Sequence, residues 1–119
     1  MLTRSCKNKG RRLQNEVRDK ILENFQNLKE EDVKVAIMGE QGVDIHLSPF
    51  AANIFPFSVE CKNQEKLNIW KSLEQSETNC KGNTNSLLVF KRNRSKVYVC
   101  LDLEVFLNIL KNKKIDLDI

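Results

Sequence analysis

The sequence predicts one α/β domain with the element order αβββαββα. Two observations support this: apolar residues recur at helical spacing near the start, middle and end of the chain, and they alternate as in strands between those segments. A length of 119 residues suits one domain. Because 40% of the residues are hydrophobic, 30% are charged and no apolar run approaches about 18 residues, we expect no membrane-spanning segment.

The first predicted elements are a helix and two strands. In "LQNEVRDKILENF" apolar residues recur every four positions, which is typical of a helix with one buried face. This stripe consists of Leu13, Val17, Ile21 and Phe25. The stretches "VKVAIM" (33–38) and "VDIHLS" (43–48) alternate on either side of the turn "GEQG", so we expect a strand in each.

The middle of the chain predicts a third strand and a second helix. "PFAANIFP" lies between Pro49 and Pro56, which are expected to break regular structure before the strand "FSVECK". A three-residue spacing of apolar positions then predicts a helix over about 64–78. These positions are Leu67, Trp70 and Leu73, and their spacing favours core packing of the tryptophan over stacking on a base.

The last third predicts a hairpin and a final helix. "SLLVF" and "KVYVCLD" are rich in residues that favour strands, and they flank the polar turn "KRNRS". "LEVFLNILKNK" then returns to helical spacing.

Positive charge is concentrated in two segments. The chain has a net charge of +4, whereas its first twenty residues alone sum to +5, so the excess lies in a basic N-terminal arm over 1–12. "KRNRSK" (91–96) is a second basic cluster. Such clusters bind nucleic-acid phosphates or simply keep a surface solvated, and charge alone does not decide between these. The candidate phosphate contacts are Arg4, Lys7, Lys9, Arg11, Arg12, Lys91, Arg92, Arg94 and Lys96.

The cysteines and the N-terminus indicate a reducing compartment. Cys6, Cys61, Cys80 and Cys100 are widely separated, without the close pairs typical of zinc and redox sites. The start "MLTRSCKNKGRRLQ" lacks the apolar segment of a secretory signal, so we expect a cytoplasmic protein.

Acidic residues on the predicted second and third strands favour a metal site. Alternate residues of a strand share a face, so Glu60 and Lys62 project together, and an adjacent antiparallel strand brings Asp44 close to Glu60. Two carboxylates and the backbone carbonyl of Cys61 would suit a hard cation such as Mg²⁺, which polarises a phosphodiester and lowers the pKa of a bound water. The Cys61 side chain itself is expected to point away and pack as a small buried hydrophobe.

Simpler interpretations of the same residues remain open. Glu60 and Lys62 also fit an exposed ion pair, which stabilises a protein very little. Asp44 fits a turn terminator, because aspartate bonds nearby backbone amides. His46 shares a face with Asp44 and is a possible general base, although we favour a satisfied or partly exposed histidine. A Ser-His-Asp hydrolase lacks the nucleophile elbow that would support it.

These residues resemble the PD-(D/E)xK nuclease superfamily. Its motif is an acid on one strand, then an acid, any residue and lysine on the next, matched here by Asp44 in "GVDIHLS" and by Glu60 and Lys62 in "VECK". The opening "KGRRLQNEVRDKIL" resembles the first helix of archaeal-type Holliday junction resolvases. The pairing of "FPFSVECKNQ" with "IWKSLEQ" resembles small phage-encoded endonuclease-like proteins.

The resemblance implies a fold and a fuller site. It implies a single-domain restriction-endonuclease-like core (αβββαβ), with a mixed central sheet flanked by helices, spanning 1–119. It implies a Mg²⁺ cofactor, replaceable by Mn²⁺, with Glu16 completing the metal site. It also implies a helix residue near the site, which is Gln75, with Lys71 as the second choice.

The resemblance further implies a phage or prophage nuclease acting in the bacterial host cytoplasm. We expect a magnesium-dependent endonuclease, a homodimer that cuts branched DNA such as a Holliday junction. The alternative is a non-catalytic nucleic-acid-binding protein that retains the fold and its basic surface.

Overall fold

The structure, a computed structural model, describes residues 4–112, which form two small β-sheets and four α-helices. In chain order the elements are α1 (Arg4–Asn24), a 3-10 turn (Glu30–Asp32), β1 (Val33–Val35), β2 (Ile45–Leu47), α2 (Pro49–Ile54), β3 (Phe57–Asn63), α3 (Ile69–Thr78), β4 (Asn85–Lys91), β5 (Tyr98–Cys100) and α4 (Leu103–Asn112). The predicted order is present, with one additional short helix, α2. Within this part of the chain no helix is long and apolar enough to cross a membrane.

The two sheets meet at Asp44. β1 and β2 are antiparallel, whereas β3 runs parallel to β4, and β4 runs antiparallel to β5. The three-stranded sheet is therefore mixed and flanked by helices, as predicted. β2 does not pair along β3, and the backbone link between them is a bond of 2.9 Å from the Asp44 N–H to the Val59 carbonyl. The expected antiparallel ladder stops there because the Asp44 carboxylate takes the Cys61 N–H, which a neighbouring strand would otherwise use.

Helix α1 packs on β3 through the predicted stripe. Leu13 and Ile21 are buried, and Val17 and Phe25 pack against the same core. The predicted basic arm is helical over its described residues, from Arg4 on, because this segment contains no proline and a single helix-weakening glycine, Gly10. Residues 1–3 of that arm lie outside the described residues.

The segment between the two prolines is a helix, and our expectation of irregular structure was wrong. Pro49 stands in the first turn of α2, where its missing N–H removes no helical hydrogen bond. Ser48 caps this helix, because its Oγ accepts the Ala51 N–H at 3.1 Å. The same Oγ donates to Asp32 at 2.7 Å, which ties α2 to the beginning of β1.

Helix α3 differs from its prediction in start and orientation. It begins at Ile69, because the Asn68 side chain accepts the Lys71 N–H at 3.0 Å and caps it. Its buried residues are the small Ser72 and Ser76. Trp70 is 80% exposed, so the expected core packing was wrong. The apolar spacing left the rotation of the helix open, and serines rather than tryptophan fit the close approach to the sheet.

The core lies between α1 and the central strands. β3 has four consecutive buried residues, and its Val59 and Cys61 join Leu87 and Val89 of β4 in the main cluster. The Cys61 side chain is therefore a buried hydrophobe, as predicted, and burial raises the pKa of its thiol strongly. Alternate β3 residues, Glu60 among them, point to the opposite face.

Candidate functional site

A cavity of about 850 Å³, the main cavity, lies between the first turns of α1, the loop after β1, the end of β3 and helix α3. Asp44, Glu60, Lys62 and Gln75 all line it. The structure thus brings together the four residues that the sequence singled out as catalytic candidates. Lys71, the second choice on the helix, is not among the lining residues.

Asp44 is fixed against the edge of β3. Its backbone N–H donates to the Val59 carbonyl at 2.9 Å, and its Oδ2 accepts the Cys61 N–H at 2.7 Å. These two bonds span Glu60 and hold the Asp44 side chain beside it. Because the carboxylate bonds β3 rather than the nearby turn, the turn-terminator interpretation does not describe its role here.

Glu60 is a buried acid in this cavity. The residue is 4% exposed, and its Oε2 is buried without a hydrogen-bond partner of normal geometry. Its Oε1 lies 3.8 Å from the Lys62 Nζ. Burial of a carboxylate with an unsatisfied oxygen costs free energy, so this is not the exposed ion pair that the sequence also allowed.

Both carboxylates of the acidic pair have raised pKa values. Burial first, and then the Asp44 charge, raise the pKa of Glu60 to about 7, opposed by the Lys62 ammonium and the Asn79 amide. Burial also raises the pKa of Asp44, opposed by the Cys61 N–H, Lys62 and His46. A cation bound between two such carboxylates would stabilise the charged form of both.

The donors at this position fit a hard divalent ion. Asp44 and Glu60 supply carboxylate oxygens, and the unpartnered Oε2 of Glu60 is the acceptor that a cation would satisfy. No cluster of three or more acidic, histidine or cysteine side chains suited to a metal occurs among residues 4–112. A magnesium ion needs no such cluster, because it keeps several waters and is commonly held by one or two carboxylates.

Glu16 lies elsewhere. It lines a second cavity of about 500 Å³, formed by α1, the end of β3 and the β4–β5 turn, and it is not among the residues that line the main cavity. The resemblance implies that Glu16 completes the metal site, and that role stays a prediction. The spacing along α1 could not show which cavity Glu16 lines, because it does not fix the rotation of the helix about its axis.

Basic residues surround both cavities. Lys7, Lys9 and Arg11 line the main cavity, while Lys9 and Arg12 line the second cavity. From the β4–β5 turn, Lys91 and Arg94 also line the second cavity. Arg4, Arg11 and Arg12 border a third recess on α1. Arg92 and Lys96 line none of these three cavities. The basic helix start and the basic turn therefore converge at the second cavity, which shares Lys9 and Asn63 with the main cavity.

Other residues near the site were not identified from the sequence. Asn63 ends β3, lines both cavities and donates to the Lys9 carbonyl at 3.4 Å. Asn79 follows α3 and lines the main cavity near Glu60. Neither carries a sequence signal, because an asparagine at the end of an element usually serves as a cap.

His46 has a partner of its own. Its Nε2 lies 3.0 Å from the Glu40 carboxylate, and Glu40 is on the loop between β1 and β2. This contact supports the interpretation of a satisfied, partly exposed histidine.

The same loop places apolar side chains at the rim of the main cavity. Ile37 is 76% exposed and Met38 is 59% exposed, and both line the cavity. The loop is shaped by the Glu40 N–H, which donates to the Ile37 carbonyl at 2.9 Å, and by Gly39 and Gly42, which have φ angles of +86° and +102°. Exposed aliphatic residues held in this way beside a polar cavity indicate a contact surface.

Comparison with known proteins identifies one family. Residues 5–118 match the family model described as "phage putative PDDEXK endonuclease". No curated protein and no solved structure matched the chain significantly.

Proposed function

The chain belongs to the phage PDDEXK endonuclease family, and from this membership and the geometry of the main cavity we propose that it is a magnesium-dependent DNA endonuclease selective for branched DNA. The observation that carries the proposal is the buried acidic pair in a cavity bordered by cations. Glu60 keeps an unpartnered oxygen next to Asp44, and both carboxylates have raised pKa values. A purely structural role would leave that cost uncompensated.

In this proposal each polar residue has a distinct task. Asp44 and Glu60 would hold a magnesium ion, with the Cys61 carbonyl as a third protein donor. The bound ion supplies Lewis-acid stabilisation of charge on the phosphodiester. Lys62, whose Nζ lies 3.8 Å from Glu60, stabilises negative charge that develops on the phosphate. Gln75 offers an amide at the same wall of the cavity to orient the attacking water.

The surroundings of the cavity support DNA as the substrate. Lys7, Lys9 and Arg11 border it, and the second cavity continues the positive surface toward Arg94. Contacts of this kind bind phosphates without reading base sequence.

The rim supports the selection of branched DNA. Ile37 and Met38 are exposed beside the acidic pair, and apolar side chains of this kind contact base faces where stacking is interrupted. A continuous duplex hides those faces, whereas a branch point exposes them. Holliday junctions are the branched substrate that we test first.

A cleavage assay tests the proposal. Matched four-way-junction, flap, linear-duplex and single-stranded DNA are incubated with magnesium or with EDTA. We expect wild type to cut the branched substrates only with magnesium, and Glu60→Gln and Lys62→Ala each to lose at least about two orders of magnitude of activity. The matched controls Glu74→Gln and Lys66→Ala change exposed residues that do not line the main cavity, and they should cut normally.

Three results would contradict parts of the proposal. Cutting that persists in EDTA would exclude the metal mechanism. Equal cutting of linear and branched DNA would reject the selectivity. Binding without any cutting, unchanged in EDTA and in Glu60→Gln, would identify a non-catalytic nucleic-acid-binding protein.

The rim residues are tested on the same substrates. We expect the double variant, Ile37→Ser with Met38→Ser, to cut linear duplex no more and no less than wild type does. It should lose most of the preference for junctions. Trp70→Ser is the control, because Trp70 is also exposed and does not line the main cavity. An unchanged preference in the double variant would remove the rim from substrate selection.

A further inference from the structure

The end of the described chain carries a large exposed apolar surface. Four residues of α4 contribute to it. They are Leu103 (67% exposed), Phe106 (45%), Leu107 (48%) and Leu110 (39%). We call these four side chains the α4 face. β5 leads directly into α4 through Leu101 and Asp102, so the two elements are neighbours in the chain.

Helix α4 presents its contribution as one continuous stripe. Leu103, Phe106, Leu107 and Leu110 follow the spacing i, i+3, i+4, i+7, which places them on one side of a helix. Val105 and Ile109 lie on the other side and are half-buried. No residue of α4 is fully buried. The helix therefore has a second apolar side that is about half exposed in the part of the chain that the structure describes.

Strand β5, which precedes α4 in the chain, has an open sheet edge. In the three-stranded sheet it pairs with β4 on one side, and no described strand pairs with its other side. An exposed edge with apolar side chains is a surface on which another chain can pair.

The size of the face fits a protein partner. From these exposed fractions, and with an area of about 150–250 Å² for an aromatic side chain, the four residues present roughly 350 Å². A standard-size interface buries about 800 Å² on each partner. The α4 face is therefore large enough for the apolar centre of an interface, and it is within the size range of functional apolar patches.

The charges beside the stripe favour a second copy of this chain. Glu104 and Lys111 are seven positions apart, so they lie on the same flank of α4, and the stripe itself carries no charge. If two copies of α4 pack antiparallel about a two-fold axis, Glu104 of each copy approaches Lys111 of the other. A self-complementary, isologous contact of this kind is what two-fold symmetry requires. DNA is a poor occupant, because the face has no cation at its centre.

We propose that the α4 face is the interface between two copies of this chain, with the two α4 helices antiparallel. The apolar stripes provide the contact, and the reciprocal pairs of Glu104 and Lys111 set its orientation. This proposal does not depend on nuclease activity.

Sedimentation of the full-length protein over a wide concentration range tests the interface. We expect wild type to be a dimer and Phe106→Glu to be a monomer with an unchanged circular dichroism spectrum, because the changed residue is exposed. Phe50→Glu is the matched control: it introduces the same charge at a phenylalanine that is 50% exposed on α2, and it should remain dimeric.

A charge exchange tests the antiparallel arrangement. Glu104→Lys brings like charges together twice in each dimer, so we expect dissociation to become several-fold stronger. Glu104→Lys combined with Lys111→Glu restores opposite charges and should recover the wild-type dissociation constant. Failure of the double variant to recover would overturn the arrangement.

Two further outcomes would overturn the proposed interface. A dimeric Phe106→Glu protein would place the contact elsewhere. A monomeric wild type whose melting temperature falls in Phe106→Glu would mean that a segment of the same chain, such as residues 113–119, covers this face.

Discussion

At the scale of single residues, the acidic pair is held by backbone bonds and is opposed by its own electrostatics. The Cys61 N–H fixes Asp44 at 2.7 Å, while Glu60 is left with one unsatisfied oxygen. A buried carboxyl with a pKa of about 7 is partly protonated near neutrality without a cation. The site is therefore organised before any ion binds, and a bound ion would relieve its electrostatic cost.

This electrostatic cost predicts a pH-dependent stability in the absence of metal. The pKa of Glu60 is raised from 4.5 to about 7 on folding, so, as the pH rises, the unfolded chain loses this proton before the folded chain does. The free energy of unfolding therefore has its full value, as far as Glu60 is concerned, below about pH 4.5. It decreases as the pH rises to about 7 and is constant above that. Glu60→Gln does not titrate, and above pH 7 it should be more stable than wild type, on the order of 2 kcal/mol.

Urea unfolding in EDTA between pH 4 and pH 9 measures this difference. Glu74→Gln, on the exposed side of α3, should follow the wild-type curve at every pH. A constant difference between Glu60→Gln and wild type across that range would mean that Glu60 has an ordinary pKa in the folded protein.

At the scale of elements, the sequence predicts which segments form helices and strands better than it predicts how each element is rotated about its own axis. Glu60 and Lys62 could be placed together because a strand has only two faces. Asp44 could be placed near them because its strand precedes theirs. Trp70 was misplaced because a helix has many possible rotations, and packing against the sheet selects one. The helix at 49–54 was missed because a proline in the first turn starts a helix as readily as it breaks one.

Two glycines on different elements predict opposite effects of the same substitution. Gly10 is inside α1, and beyond the adjoining helix backbone no atom lies within 4 Å of the position that a Cβ would take, so Gly10→Ala should stabilise the protein by about 0.5–1 kcal/mol. Gly42 has a φ of +102° in the loop that leads to Asp44, so Gly42→Ala should destabilise it by about 1–3 kcal/mol. Thermal and urea unfolding measure both. Equal effects would mean that the loop accepts another conformation without cost.

At the scale of the whole molecule, positive charge and apolar surface are separated. The cations of α1 and of the β4–β5 turn surround the two cavities, whereas the exposed stripe of α4 carries none. A charged surface suits a polyanion and an uncharged one suits a protein. The separation supports a division of the surface in which one region contacts DNA and another contacts a second copy.

The distribution of cations predicts how binding depends on salt. In EDTA, where cutting is excluded, each phosphate contact that is lost should lower the slope of log K against log[salt] by about 0.9 on duplex DNA. Arg12 and Arg94 approach the second cavity from different elements, so Arg12→Ala and Arg94→Ala should each lower the slope by about one, and together by about two. Lys20→Ala changes an exposed residue of α1 that lines neither cavity, and it should leave the slope unchanged.

Fluorescence anisotropy of labelled DNA at several salt concentrations gives the slopes. If all three variants lower the slope equally, binding follows the net charge alone. Lower slopes for Arg12→Ala and Arg94→Ala, with an unchanged slope for Lys20→Ala, would indicate that the bound DNA crosses the second cavity.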